Sequence, residues 1–177
     1  MQQNVRRHSL RTEQWVPFPL ERVFDFFADP RNLPPLMPAW QKARIVAAAI
    51  VPPAAPPAGR MPTGHEAGVG SRMTITFRPV PLLPVRLRWE ALIEEFAWDE
   101  HFCDGQPSGP FAYWRHCHWL RAETRGAVTG TVVTDAVTVA FPFGKLGGIA
   151  YRLGGKRQVR GIFAYRQKQL LRMMAAQ

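Results

Sequence analysis

The chain has 177 residues, 46% of them hydrophobic and 20% charged, which fits one globular domain and excludes a disordered chain. Its 23 basic and 13 acidic residues give a formal charge of +10, and two cysteines are too few for a small disulfide-built scaffold. A separate cofactor-binding domain has no room.

Residues 1–8 contain no apolar stretch of signal-peptide length and are expected to be disordered; residues 9–175 read as a single domain. The longest uncharged apolar stretch, residues 46–58, holds four prolines and is too short to span a membrane. The expectation is a cytoplasmic protein, with Cys103 and Cys117 as reduced thiols.

Residues 9–16 lean toward a strand and end at Pro17, as suits a first or edge strand. The period then changes. Leu20, Val23, Phe24 and Phe27 recur at helical spacing, and Asp29-Pro30 stops the helix. Residues 30–38 carry four prolines and allow only a short, broken helix.

Residues 42–51 predict a strand. Residues 52–68, with five prolines, predict an irregular connection, with a lid as the alternative. Alternation over 70–78 and 85–93 predicts two further strands, the second facing Trp89, Ala91 and Ile93 one way. Arg72, Arg86 and Arg88 then either lie on the wet face or meet an anionic head group inside a curled sheet.

Residues 98–104 and 111–123 predict two strands joined across the 105–110 turn, and residues 127–141 form the longest β run. A glycine-rich stretch follows, then a helix over about 156–174 with Val159, Ile162, Phe163 and Leu170 on its apolar side. Residues 144–177 hold eight bases and no acid, a charge of +8. This is either a solvated face or a contact surface for a membrane or nucleic acid. The element order predicts an α+β architecture in which helices cover one side of a mostly antiparallel sheet.

His116 and His118 lie two apart on one strand, so both rings share a face. They either hydrogen-bond neighbouring strands or, with His101 or Asp104, hold a metal; the first reading is preferred, so neither metal nor cofactor is expected. Asp135, in an apolar strand, must be paired. Arg115 and Arg157 are candidate partners for a structural salt bridge, and a general acid or base with a raised pKa is the alternative. Asp104 is expected to accept backbone N–H bonds near the turn. No Ser-His-Asp order, phosphate-binding glycine loop or His-Glu-x-x-His motif is present.

Certain marks recur along the chain: Phe24 with residues 27–30, Leu33 and Pro38; Phe102, Asp104, Gln106, Gly109-Pro110-Phe111, Trp114, His116 and His118; Thr131, Asp135, Val137, Pro142, Gly144 and Leu146; Arg157, Ile162-Phe163, Tyr165-Arg166 and Leu170. With the element order, this set resembles the START-like (SRPBCC) superfamily, and within it the small bacterial ligand-binding, cyclase/dehydrase-like subgroup. The resemblance implies a helix-grip, Bet v 1-like fold: a curved antiparallel sheet wrapped around a long C-terminal helix, with an apolar cavity between them. It implies binding of a hydrophobic small molecule or lipid, with Phe24, Phe27, Trp89, Trp114, Phe141 and Phe163 as lining. Two alternatives stand beside it. One is a cyclase- or dehydratase-type enzyme acting on a polyketide-like carbonyl compound, with His116 or Asp135 moving a proton. The other is an interaction module using the basic C-terminal helix.

Overall fold

The computed structural model describes residues 6–81 and 84–176. Residues 1–5 of the expected disordered N-terminus lie outside that range; His8 is already the first residue of β1 (His8–Val16). After β1 come α1 (Leu20–Ala28), α2 (Leu33–Leu36), β2 (Arg44–Ala49), β3 (Arg72–Phe77), β4 (Leu87–Ala97), β5 (His101–Ser108), β6 (Tyr113–Arg125), β7 (Val128–Ala140), α3 (Lys145–Ala150) and α4 (Lys156–Ala175). The seven strands form one sheet in the order β1-β7-β6-β5-β4-β3-β2, with every neighbouring pair antiparallel.

Alternation sets which face each strand buries. Trp89, Ala91 and Ile93 of β4 turn inward, as do Phe102 of β5 and Leu120 of β6; they meet α1, α2 and the end of α4 in one core. Arg72, Arg86 and Arg88 take the wet face. Helix α1 presents Val23, Phe24 and Phe27 to that core, and Phe24 packs edge-on against Phe96 and Phe102.

The connection between β2 and β3 is irregular, as its prolines require, but it is tied to the body. Arg60 is buried and bridges Asp25 at 2.5 Å and Asp99 at 3.0 Å. The Ala67 amide donates to the Ala28 carbonyl at the end of α1.

Three sequence expectations are corrected. The strand expected over 98–104 is β5, which starts at His101 and runs through most of the expected 105–110 turn to Ser108. The final helical stretch begins at Lys145, not near 156: α3 runs through a π turn (Tyr151–Gly155) into α4. The glycines permit close packing there. A Cβ on Gly147 would stand 2.1 Å from the Pro142 carbonyl oxygen, and one on Gly155 would stand 2.9 Å from the Phe141 ring. Cys103 and Cys117 form a disulfide and are not thiols. The β5–β6 register places them directly opposite, with Cα atoms 4.0 Å apart, a pairing that sequence separation alone does not reveal.

Candidate functional site

Between the sheet and α4 lies a cavity of about 140 Å³. Phe27, Trp89, Trp114 and Phe163 line it. Phe24 and Phe141 do not. Phe24 is fully buried in the core beneath α1, and Phe141 packs with Phe111 and Tyr151 in a satellite cluster beside the π turn. The cavity wall is mostly apolar, with a polar cluster along one side: Asp104, His116, His118 and Arg166.

The register builds this cluster. His116 pairs with Asp104 on β5 and Val137 on β7; His118 pairs with Phe102 and Asp135. Side chains of paired residues share a face, so both histidines and both aspartates turn inward together. Arg166 comes from α4, in phase with the buried Val159, Phe163 and Leu170.

Asp135 is the hub. Its Oδ1 lies 2.8 Å from His116 Nε2, 3.0 Å from His118 Nδ1 and 3.9 Å from Arg166 Nε. The His118 contact is short but off the line of a good hydrogen bond. Arg166 Nη2 lies 3.2 Å from His118 Nε2. A guanidinium can only donate, so His118 accepts at Nε2 and carries its proton on Nδ1, toward Asp135. His116 accordingly donates from Nε2, leaving Nδ1 facing Asp104 Oδ2 at 3.6 Å. Asp104 also accepts a hydrogen bond from the Trp114 indole at 3.1 Å.

Burial acts on Asp135, Asp104, His118 and Arg166. It raises the Asp135 carboxyl, but the hydrogen bond from His116, the close His118 Nδ1 and the Arg166 charge outweigh it, holding that carboxyl well below the usual range. Asp104 has fewer compensating partners, so burial lifts it. Burial, with His116 and Arg166 nearby, pushes His118 down to about 3. Burial also lowers Arg166, against the pull of Asp135 and Asp104.

Three expectations change here. Asp135 pairs with two histidines and Arg166, while Arg115 crosses to Glu95 on the outer face. The Asp135 carboxyl is lowered, not raised, because its donors outweigh desolvation. Asp104 takes side-chain partners in place of backbone amides. Sequence reasoning missed Arg166 as the partner; its place at an apolar phase of the helix marks a charge in need of a buried counterpart without naming that counterpart.

Asp104, His116 and His118 place potential ligand atoms within 4.8 Å of one another. His101 stands apart, stacked on Trp119. A guanidinium nitrogen already sits beside His118 Nε2 and supplies positive charge there, so this geometry favours a hydrogen-bonded network over a divalent cation. What the cluster offers the cavity is a set of fixed donors and acceptors, with one imidazole held by a carboxylate on its far nitrogen.

No protein-family model and no curated relative matches this sequence. Solved structures do. Protein CV1439 from Chromobacterium violaceum is 15% identical, with 94% of this chain and 96% of that chain covered and a TM-score of 0.63. Norcoclaurine synthase from Thalictrum flavum is 12% identical, over 98% and 89% of the two chains, with a TM-score of 0.60. Ara h 8.0201 is 15% identical, over 93% and 98%, with a TM-score of 0.55. These likenesses establish the fold: a START/Bet v 1-like helix grip, with a curved seven-stranded antiparallel sheet holding a long C-terminal helix.

Proposed function

We propose that the protein binds a small hydrophobic molecule in this cavity, with a polar atom of the ligand against the Asp104–His116–Arg166 wall. One observation carries the reading: a mostly apolar, aromatic-lined pocket with convergent polar groups along one side. Its volume of about 140 Å³ is close to the roughly 150 Å³ of an engineered apolar cavity that takes up benzene. The dimensions therefore support a ligand of about one ring, and a lipid or polyketide-like scaffold would extend beyond this space. Among the fold neighbours, norcoclaurine synthase has been crystallised in complex with dopamine and hydroxybenzaldehyde, which are of that size.

The test is native mass spectrometry of freshly purified protein beside a solvent extract, followed by titration with single-ring aromatics. A bound species of low mass is expected. Ala91 is a small residue on the cavity wall. Ala91→Phe should fill the space and abolish uptake while the protein stays folded; undiminished uptake by that variant would place the ligand elsewhere.

A second reading rests on the His116–Asp135 contact. An imidazole held through Nε2 by a buried carboxylate, with Nδ1 beside the Asp104 carboxyl on the cavity wall, resembles the arrangement of an oriented general base. It supports cyclase- or dehydratase-type chemistry on a carbonyl compound. His116→Gln should then stop turnover of the bound molecule while leaving its affinity within about threefold.

A further inference from the structure

The start of the final helical stretch carries a feature that the cavity does not use. Four large apolar side chains stand in solvent in a row: Phe143 is 80% exposed, Leu146 71%, Ile149 51% and Leu153 84%. Leu146, Ile149 and Leu153 lie on the exposed side of the helical stretch, and Phe143 stands just ahead of its first residue at a positive φ of 68°. The opposite side is fixed to the body. Gly147, Tyr151 and Gly155 are its buried positions, and the glycines lie against Pro142 and Phe141. Gly147, Tyr151 and Gly155 on the inward side hold the segment against the end of the sheet, and Leu146, Ile149 and Leu153 face outward.

Positive charge surrounds this stripe. Lys145, Arg152 and Lys156 are exposed between and beyond the apolar positions, and Arg6 joins Lys145, Ile149 and Arg152 around one shallow depression. No acidic residue occurs from 144 to 177. Exposed aliphatic and aromatic side chains have no role in gripping a phosphodiester backbone, whereas apolar residues with flanking bases suit the boundary between lipid head groups and acyl chains. Among the described residues no helix is long and apolar enough to cross a membrane, so the segment would lie in that boundary.

We propose that the stripe Phe143, Leu146, Ile149 and Leu153, with Lys145, Arg152 and Lys156, docks the protein on an anionic lipid surface. The apolar side chains enter the head-group region and the bases hold lipid phosphates. This places the contact at the start of the basic helical stretch, where charge and exposed apolar area coincide, and not along the whole of it.

The experiment is vesicle flotation with full-length protein, using phosphatidylcholine alone and phosphatidylcholine mixed with phosphatidylglycerol. The wild type should float with the mixed vesicles, less so as salt rises, and stay behind with phosphatidylcholine alone. L146S/L153S should weaken partition about tenfold or more, and K145E/R152E should remove the preference for phosphatidylglycerol. All four positions are exposed, so both variants should keep the wild-type Tm, and that is measured alongside. Failure of the wild type to float with either composition would overturn the proposal, as would wild-type flotation by L146S/L153S. Retention on a DNA duplex but not on vesicles would also overturn it. So would a wild-type dimer in sedimentation equilibrium that L146S/L153S dissociates, since the stripe would then be a face between two copies.

Discussion

The two halves of the final helical stretch obey opposite packing rules. From Val159 onward the large side chains point inward: Phe163 and Leu170 are buried, and Arg166 reaches the polar cluster. From Lys145 to Gly155 the glycines of the buried face point inward, and Leu146 and Leu153 point out. Both halves carry large apolar residues, but in the first Leu146, Ile149 and Leu153 face solvent and only Tyr151 is buried. Burial of apolar residues is therefore a property of phase, and hydropathy along the chain does not distinguish the half that builds a site from the half that presents a surface.

Truncation should separate the halves most sharply. Phe163→Ala removes a ring that touches the cavity and packs edge-on against His116, and should cost about 3–5 kcal/mol in chemical denaturation. Leu153→Ala removes a side chain that stands in water and should change stability by no more than about 0.5 kcal/mol. Similar losses in the two would mean that the first half is also packed.

Removing charge tests the inner half in a second way. Asp135→Ala leaves Arg166 buried with its nearest anion gone and two imidazoles unpaired, a cost of about 3 kcal/mol or more. The double variant Asp135→Ala with Arg166→Met should recover part of that loss in a double-mutant cycle. Additive losses would show that the two groups do not interact.

The glycines give a smaller contrast within one turn of helix. Gly147→Ala drives a methyl group into the backbone at Pro142 and should cost about 1–3 kcal/mol. At Gly148 a Cβ meets nothing within 4 Å, so Gly148→Ala should gain up to about 1 kcal/mol from helix propensity. Equal effects would remove close approach as the reason for glycine at 147.

These contrasts also show what was legible in the sequence. The strands, α1 and the later part of α4 follow from alternation and helical periodicity, because most of those elements bury one face and wet the other. The start of the last helix was not legible. Glycine has poor helix propensity, and only the tertiary approach to Phe141 and Pro142 turns that weakness into a requirement. The placement of Cys103 and Cys117 almost symmetrically about the 105–110 turn made them candidate cross-strand neighbours, but that they are directly opposite and bonded is a fact of register between two strands. At the site, the shared face of His116 and His118 was readable from their spacing, and the need of Asp135 for a partner from its apolar surroundings. Which cation would serve was not readable, because Arg166 arrives from a helix 31 positions further along the chain.

A last contrast is a slope with pH. Folded His118 stays neutral down to about 3, while in the unfolded chain it titrates near its ordinary 6.5. Between those values the unfolded state binds the extra proton, so this contribution to stability is complete above about 6.5 and shrinks as pH falls. Asp135 adds to the loss below the ordinary carboxylate range, since its folded carboxyl titrates lower than the unfolded one. Asp104 works the other way: its raised carboxyl favours the folded state while protonated, a contribution lost as pH rises through its folded value. His118→Gln deletes the first of these without touching the exposed stripe. Tm measured from about pH 7 to about pH 5 should therefore decline less in the variant than in the wild type. Leu153→Ala should retain the full wild-type decline. A wild-type slope surviving in His118→Gln would mean that the proton taken up on unfolding belongs to a group outside the buried cluster.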